Sequence, residues 1–152
     1  MGIIRLFKHN NVVMITIENA LRLAIEAHEG QKDLDGKPVI LHPMAVGLAG
    51  GNREEIIAGL LHDVVEDTKF TFDDLLARGV DESIVDALRL LTHTDDMSYE
   101  DYVKRIAASG NSIAIHVKYN DLQHNLKRGR AGGHWKQVTK HEGALPIIEK
   151  HI

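Results

Sequence analysis

Cysteine is absent from this chain of 152 residues, which excludes a disulfide framework and a thiolate zinc site, and leaves no thiol nucleophile. No apolar run approaches the roughly 20 residues that span a bilayer, so no membrane partner is expected. No secretory signal is evident, because Met1 to Ile15 mixes charged and amide residues into its apolar stretch. Cytoplasmic location is the expectation that fits these absences. Positive charge is not in excess either: 18 basic against 22 acidic residues leave a formal charge of −4, unlike a nucleic-acid coat. Lys127, Arg128 and Arg130 make a small basic cluster, which reads equally as a solvated helix end or as a phosphate contact. No repeat and no low-complexity linker divides the chain, and Ser98 and Ser112 belong to no evident Ser-His-Asp arrangement.

What remains is a soluble composition, 43% hydrophobic and 26% charged, with a helical rhythm nearly throughout. Thr16 can cap a helix carrying Ile17, Leu21, Ala24, Ile25 and Ala27, with Gly30 as its stop. Asp33 to Pro38 has the chemistry of a turn. Pro43 suits the first position of a short helix ending near Gly50-Gly51. Arg53 to Glu66 reads as one buried helix through Ile56, Ile57, Leu60, Leu61, Val64 and Val65. Thr71 with Asp74 forms a capping box ahead of Phe72 to Ala77. Asp81 caps a helix with Ile84, Val85, Leu88 and Leu91, Ser98 caps one with Tyr102, Val103 and Ile106, and Asn111 starts a long helix to about Lys127. Ala144 to Ile152 has a helical flavour despite Pro146. The sum is one all-α domain. The first 15 residues are open between a small β-hairpin, Ile3 to Phe7 with Val12 to Ile15, and an extension preceding a start at Met14.

Ten histidines are unusual, and only those in a coherent constellation count. His62-Asp63 and Glu66-Asp67 set polar groups four residues apart at the end of the apolar stretch Ile56 to Val65. Charge there is costly to bury unless it is paired or metal-bound. His42 precedes Pro43 and is expected extended just before a helix. Asp121 and Asn125 are again four apart, with His124 beside them, after Ile113, Ile115 and Val117. Two imidazoles and two carboxylates form a mixed nitrogen and oxygen set suited to a divalent first-row ion, which is equipment for hydrolysing a phosphate ester.

Ala27-His28-Glu29-Gly30-Gln31 with Gly36 to Pro43, then Leu60-Leu61-His62-Asp63-Val64-Val65-Glu66-Asp67-Thr68, then Val117 to Asn125, stand in the order and spacing of a known family. Over about Leu21 to Leu126 the chain resembles the hydrolase domain of Rel/SpoT-type guanosine alarmone enzymes, a branch of the HD phosphohydrolase superfamily. The resemblance implies a single HD-domain helical bundle over residues 1-152, with the motif-bearing core at about 16-129. It implies one manganese ion held by His42, His62, Asp63 and Asp121, other first-row ions fitting the same donors. Glu66 and Asp67 match the acidic pair that positions and activates water, Asn125 a nucleotide contact, and His124 its neighbour in the pocket. Lys32, Lys118 and Arg128 are candidates for neutralising the leaving pyrophosphate.

The departures are specific. Where the family carries a basic pair this chain has Asp33-Leu34, with Lys32 the nearby cation. Val39 replaces an aromatic residue, Leu122 an arginine, and Arg128 a small hydroxyl residue. The expected activity is removal of the 3′-pyrophosphate from ppGpp or pppGpp, with no synthetase, on a small nucleotide partner. An HD-type hydrolase of another phosphate ester and a non-catalytic nucleotide sensor are the rivals. The sequence does not fix the oligomeric state.

Overall fold

A computed structural model describes residues 14–152; the expected hairpin or extension falls almost wholly on residues 1–13, outside them. The described residues form nine helices: α1 Ile17–His28, α2 Leu41–Leu48, α3 Arg53–Leu61, α4 Val64–Asp67, α5 Phe72–Ala77, α6 Glu82–Leu91, α7 Tyr99–Ala108, α8 Ser112–Gly132 and α9 Trp135–Glu149. No strand occurs among them, only an isolated bridge between Lys32 and Pro38 that closes the α1–α2 turn. Among the described residues no helix is long and apolar enough to cross a membrane.

The caps follow local chemistry. Thr16, Asn52, Ser98 and Asn111 each accept from the backbone N–H three residues on, satisfying donors that the first turn leaves orphaned. Thr71 and Asp74 close both halves of the capping box. Asp81 differs from expectation. It precedes α6 without a side-chain cap, because its carboxylate accepts from Arg53 at 2.8 and 3.0 Å. The same guanidinium donates to the Ile15 carbonyl at 2.7 Å, which ties the start of the described chain to α3 and α6.

The core lies around α8, which packs against α2, α3, α6, α7 and α9. Ile57, Ala58, Leu88, Val103, Val117 and Leu122 are fully buried there. The close approach of α2 to α3 is made by glycine. A Cβ on Gly59 would sit 2.9 Å from the Gly47 backbone, and one on Gly47 would meet Leu60 at 2.7 Å. Backbone therefore meets backbone, and the ends of α2 and α3 that carry His42 and His62 are drawn together.

Four boundaries correct the sequence reading. The helix expected over Arg53 to Glu66 breaks at His62-Asp63. The His62 ring donates from Nδ1 to the Gly59 carbonyl at 2.6 Å, competing with the helix ladder, and Asp63 sits in the sparsely populated bridge region at φ −102, ψ 0. Residue His42 is helical, not extended, since α2 starts at Leu41 and Pro43 falls within its first turn, where a missing N–H costs nothing. The buried face of α1 is Ala20, Leu23, Ala24 and His28, leaving Ile25 exposed. Helix α8 continues past Lys127 to Gly132, where Gly133 at φ 71 turns the chain. His134 N–H then bonds the Gly129 carbonyl and Gly133 N–H that of Arg130, a Schellman closure. This reversal lays α9 along α8 from Trp135 instead of Ala144, on buried positions Val138, His141, Ala144 and Ile148. Only two apolar residues precede Pro146 in that series, which is why its rhythm is faint in the sequence.

Candidate metal centre and cleft

Helix α2 supplies His42, the α3–α4 break supplies His62 and Asp63, and α8 supplies Asp121. The donor atoms of His42, His62 and Asp63 lie within 4.8 Å of one another. Asp121 Oδ1 is 2.8 Å from His42 Nε2 and 3.2 Å from His62 Nε2. Asp63 Oδ2 is 3.2 Å from His62 Nε2 and 3.8 Å from His42 Nε2. Each carboxylate thus faces both ring nitrogens, an arrangement that a shared cation would make favourable and that bare burial would not.

The far nitrogens decide which lone pairs point inward. A carbonyl can only accept, so the bond from His62 Nδ1 to Gly59 O fixes the proton on Nδ1 and leaves Nε2 a donor to metal. His42 Nδ1 lies 2.7 Å from His124 Nδ1. Burial, with the nearby His42 ring, pushes His124 down to about 4; with an ion on His42 Nε2, the His42 proton would sit on Nδ1 and be donated to the neutral His124 ring. The donor set fits a divalent first-row ion, with two imidazoles and two carboxylates.

Burial opposes charge at the centre, but the partners outweigh it for three of four groups. Burial raises and the His62 ring lowers Asp63, with a net fall to about 2. Asp121 is held well below the carboxylate range, burial notwithstanding, chiefly by Lys118. His62 is lifted above its ordinary value, against burial, by Asp63 and Asp121. His42 goes the other way, because burial exceeds the pull of Asp121.

Around the four stand their supports. Lys118 Nζ donates to Asp121 Oδ2 at 2.8 Å and faces the rings of Tyr99 and Tyr102 at 5.2 and 4.9 Å. The ammonium expected at a leaving pyrophosphate is therefore engaged by Asp121. Asn125 Nδ2 donates to Asp121 Oδ1 at 3.1 Å, and its Oδ1 accepts from Arg128 Nε and Nη2 at 3.0 and 2.7 Å. His124 lies against His42 and lines two side grooves, one with Ala45 and Lys127 and one with Asp33, Asp35, His42 and Arg128.

Glu66 and Asp67 sit on α4 with their carboxylates within 4.8 Å of each other and of Asp63. Glu66 Oε1 accepts from His93 N–H at 2.7 Å. Burial raises Glu66, helped by Asp63, and burial followed by Asp63 raises Asp67. Both are stronger bases than free carboxylates. Gln31 Nε2 donates to the Asp67 carbonyl at 2.9 Å, and Gln31 Oε1 accepts from His28 Nδ1 at 2.9 Å.

Two connected chambers open on this centre. The outer one, about 360 Å³, is walled by Lys32, Asp33, Asp35, Asp67, Arg128 and His134 among others. The inner one, about 160 Å³, is walled by Glu66, His93, Tyr99 and Lys140. His42, Asp63, Asn125, Arg128 and His141 border both. Lys140 and His141 were not singled out by the sequence. His141 is buried, its Nδ1 has no partner, and burial pushes it down to about 4. The only sequence signal for it is its place in the Val138–Ile148 buried series of α9.

The family model described as HD domain matches residues 20–118. The bifunctional (p)ppGpp synthase/hydrolase SpoT of Escherichia coli K12 is 35% identical over 123 residues, covering 73% of this chain and 18% of that protein. The guanosine-3′,5′-bis(diphosphate) 3′-pyrophosphohydrolase of Aquifex aeolicus is 34% identical over 121 residues, covering 73% of this chain and 17% of that protein. The chain thus spans under a fifth of the length of these curated relatives. A solved structure of a metazoan SpoT ortholog that hydrolyses ppGpp superposes with a TM-score of 0.67 at 22% identity, over 85% of this chain and 84% of that one. The likeness in fold covers the bundle on which the cluster is built. On the family match and these relatives, the chain belongs to the HD-domain family and is related to the hydrolase domain of SpoT/Rel proteins.

Proposed function

We propose that this chain, read over residues 1-152 as one HD domain, is a manganese-dependent hydrolase that removes the 3′-pyrophosphate of guanosine alarmones of the ppGpp and pppGpp type. The observation that carries the reading is the convergence of His42, His62, Asp63 and Asp121 beside an acidic pair on one cleft. The activities named for the E. coli, Aquifex and metazoan relatives support the same substrate class. A divalent ion held by the four donors would supply Lewis acidity toward a phosphoryl oxygen and acidify a water at the site.

The chain's own residues do the rest. Glu66, anchored through one oxygen by His93 N–H, or Asp67 accepts the proton of the attacking water, and its raised pKa suits that role. Water adds to the phosphorus on the 3′ oxygen, the bond from phosphorus to that oxygen breaks, the 3′ oxygen takes up the proton that the carboxylate accepted and becomes a hydroxyl, and the pyrophosphate departs carrying the water's oxygen. Asn125, Arg128 and Lys32 line the nucleotide's path. Lys118 acts through Asp121, holding that carboxylate ionised and oriented. His124 likewise acts through His42.

Manganese-loaded protein incubated with a nucleotide panel, with products resolved by chromatography, tests this. Pyrophosphate released from the alarmone supports it. Orthophosphate from other nucleotides, with none released from the alarmone, defeats it. Turnover on no nucleotide moves the sensor reading ahead.

A further inference from the structure

The inner chamber, about 160 Å³, is too small for a nucleoside, since pockets for such ligands run from roughly 300 Å³ upward. The outer one, about 360 Å³, is not. His42 and Asp63 border both. A nucleotide with its 3′-bound phosphorus at these two residues therefore has its nucleoside in the outer chamber, and its distal phosphoryl group faces the inner one.

The inner wall is furnished for such a group. Lys140, on α9, holds its Nζ 4.2 Å from the centre of the Tyr99 ring, and among the described residues no carboxylate pairs with it. Burial, then the like charge of Lys118, pushes Lys140 down, while Glu66 and Asp121 pull the other way. Those three charges all line the inner chamber. Two buried polar atoms of the same wall, Tyr99 Oη and His141 Nδ1, have no hydrogen-bond partner, and their rings stand edge to face, 6.0 Å apart. His141 is only 8% exposed. Buried polar groups are nearly always bonded, so two orphans beside an unpaired ammonium leave places for acceptor oxygens. The carboxylates of the chamber are Asp63, Glu66 and Asp121, and its cations are Lys118, Arg128 and Lys140. These balance, and a divalent ion on Asp63 and Asp121 would turn the chamber positive.

We propose that Lys140, with Tyr99 Oη and His141 Nδ1, forms the seat of the distal phosphoryl group of the 3′-pyrophosphate. The seat rests on the proposed 3′-pyrophosphate chemistry and assigns residues to its leaving group. Lys140 thereby takes the part for which Lys118, engaged by Asp121, is not free.

The test uses guanosine 3′,5′-bis(diphosphate) and guanosine 5′-diphosphate 3′-monophosphate, which differ only in the distal 3′ phosphoryl group. Their affinities for manganese-loaded protein are read by displacement of a fluorescent nucleotide, in an Asp67→Asn background that slows turnover and leaves the inner wall intact. The bis(diphosphate) should bind more tightly. Lys140→Gln should weaken it by about threefold to tenfold, a charged hydrogen bond discounted for screening, and leave the 3′-monophosphate within about twofold. Tyr99→Phe and His141→Leu should narrow the same preference without lowering the unfolding midpoint, because neither deleted atom has a partner in the protein. Equal affinities before substitution, a preference unchanged in Lys140→Gln, or a loss shared equally by both nucleotides overturns the seat. A preference unchanged in Tyr99→Phe or His141→Leu strikes that residue from it. Absence of pyrophosphate release by the unsubstituted protein overturns the hydrolase reading instead, and the two affinities still decide this one.

Discussion

Lys118 Nζ lies 2.8 Å from Asp121 Oδ2, one turn apart on α8, and both side chains are buried. A lysine inside a bundle is tolerated only with its charge paired, and here the partner is also a carboxylate of the proposed metal centre. Lys118→Met should destabilise the metal-free protein by about 1–3 kcal/mol, because it removes the main charge partner of buried Asp121 and leaves it His42, His62 and Asn125. Denaturant unfolding with and without manganese checks this. The loss should be smaller with the ion present, which would replace the missing positive charge.

His124 holds the His42 ring through Nδ1 at 2.7 Å. His124→Ala should weaken divalent-ion binding by roughly tenfold to a hundredfold, as loss of a ligand's orienting partner does, while circular dichroism stays unchanged. Calorimetric titration with manganese reads the affinity. An unchanged affinity would mean that His42 is oriented without it.

Gly59 lets α2 and α3 meet backbone to backbone. Gly59→Ala forces a Cβ to 2.9 Å from Gly47, a main-chain neighbour that cannot rotate away. Stability should fall by about 1–3 kcal/mol, and metal affinity should fall with it as His42 and His62 separate. The same substitution at Gly143, where a Cβ meets nothing within 4 Å, serves as the control.

Glu66 must be ionised to accept a proton, and burial raises its pKa above the ordinary 4.5. Activity should therefore fall as pH is lowered and Glu66 takes up its proton. Asp67→Asn removes one of the charges that raise Glu66, so the limb of its residual activity should move to lower pH. A pH–rate profile of kcat decides it, and a limb that does not move assigns the base elsewhere.

Part of the candidate site was legible in short, polar strings at the ends of apolar helices, His62-Asp63 after Ile56 to Leu61 and Asp121 with Asn125 after Val117, while the choice of His42 and Asp121 as ligands came from the family resemblance. The all-α fold was legible from the same helical spacing and from side-chain caps at Thr16, Thr71, Ser98 and Asn111. What stayed hidden depends on contacts between distant segments. The break at His62 needs a ring bonded to the Gly59 carbonyl, the loss of the Asp81 cap needs Arg53, and neither partner is marked in a local pattern. The α9 wall with Lys140 and His141 was missed because its buried face carries a histidine and few apolar residues. The sequence points Lys118 at the leaving pyrophosphate, and only packing against Tyr99, Tyr102 and Asp121 shows the carboxylate it engages.

The most direct test is a crystal structure of the manganese-loaded protein with anomalous data at the manganese edge. The account predicts one anomalous peak within bonding distance of His42 Nε2, His62 Nε2, Asp63 and Asp121, with Glu66 and Asp67 beside it and outside the coordination sphere. An ion held elsewhere, or Asp121 turned away from an ion that His62 binds, would contradict it.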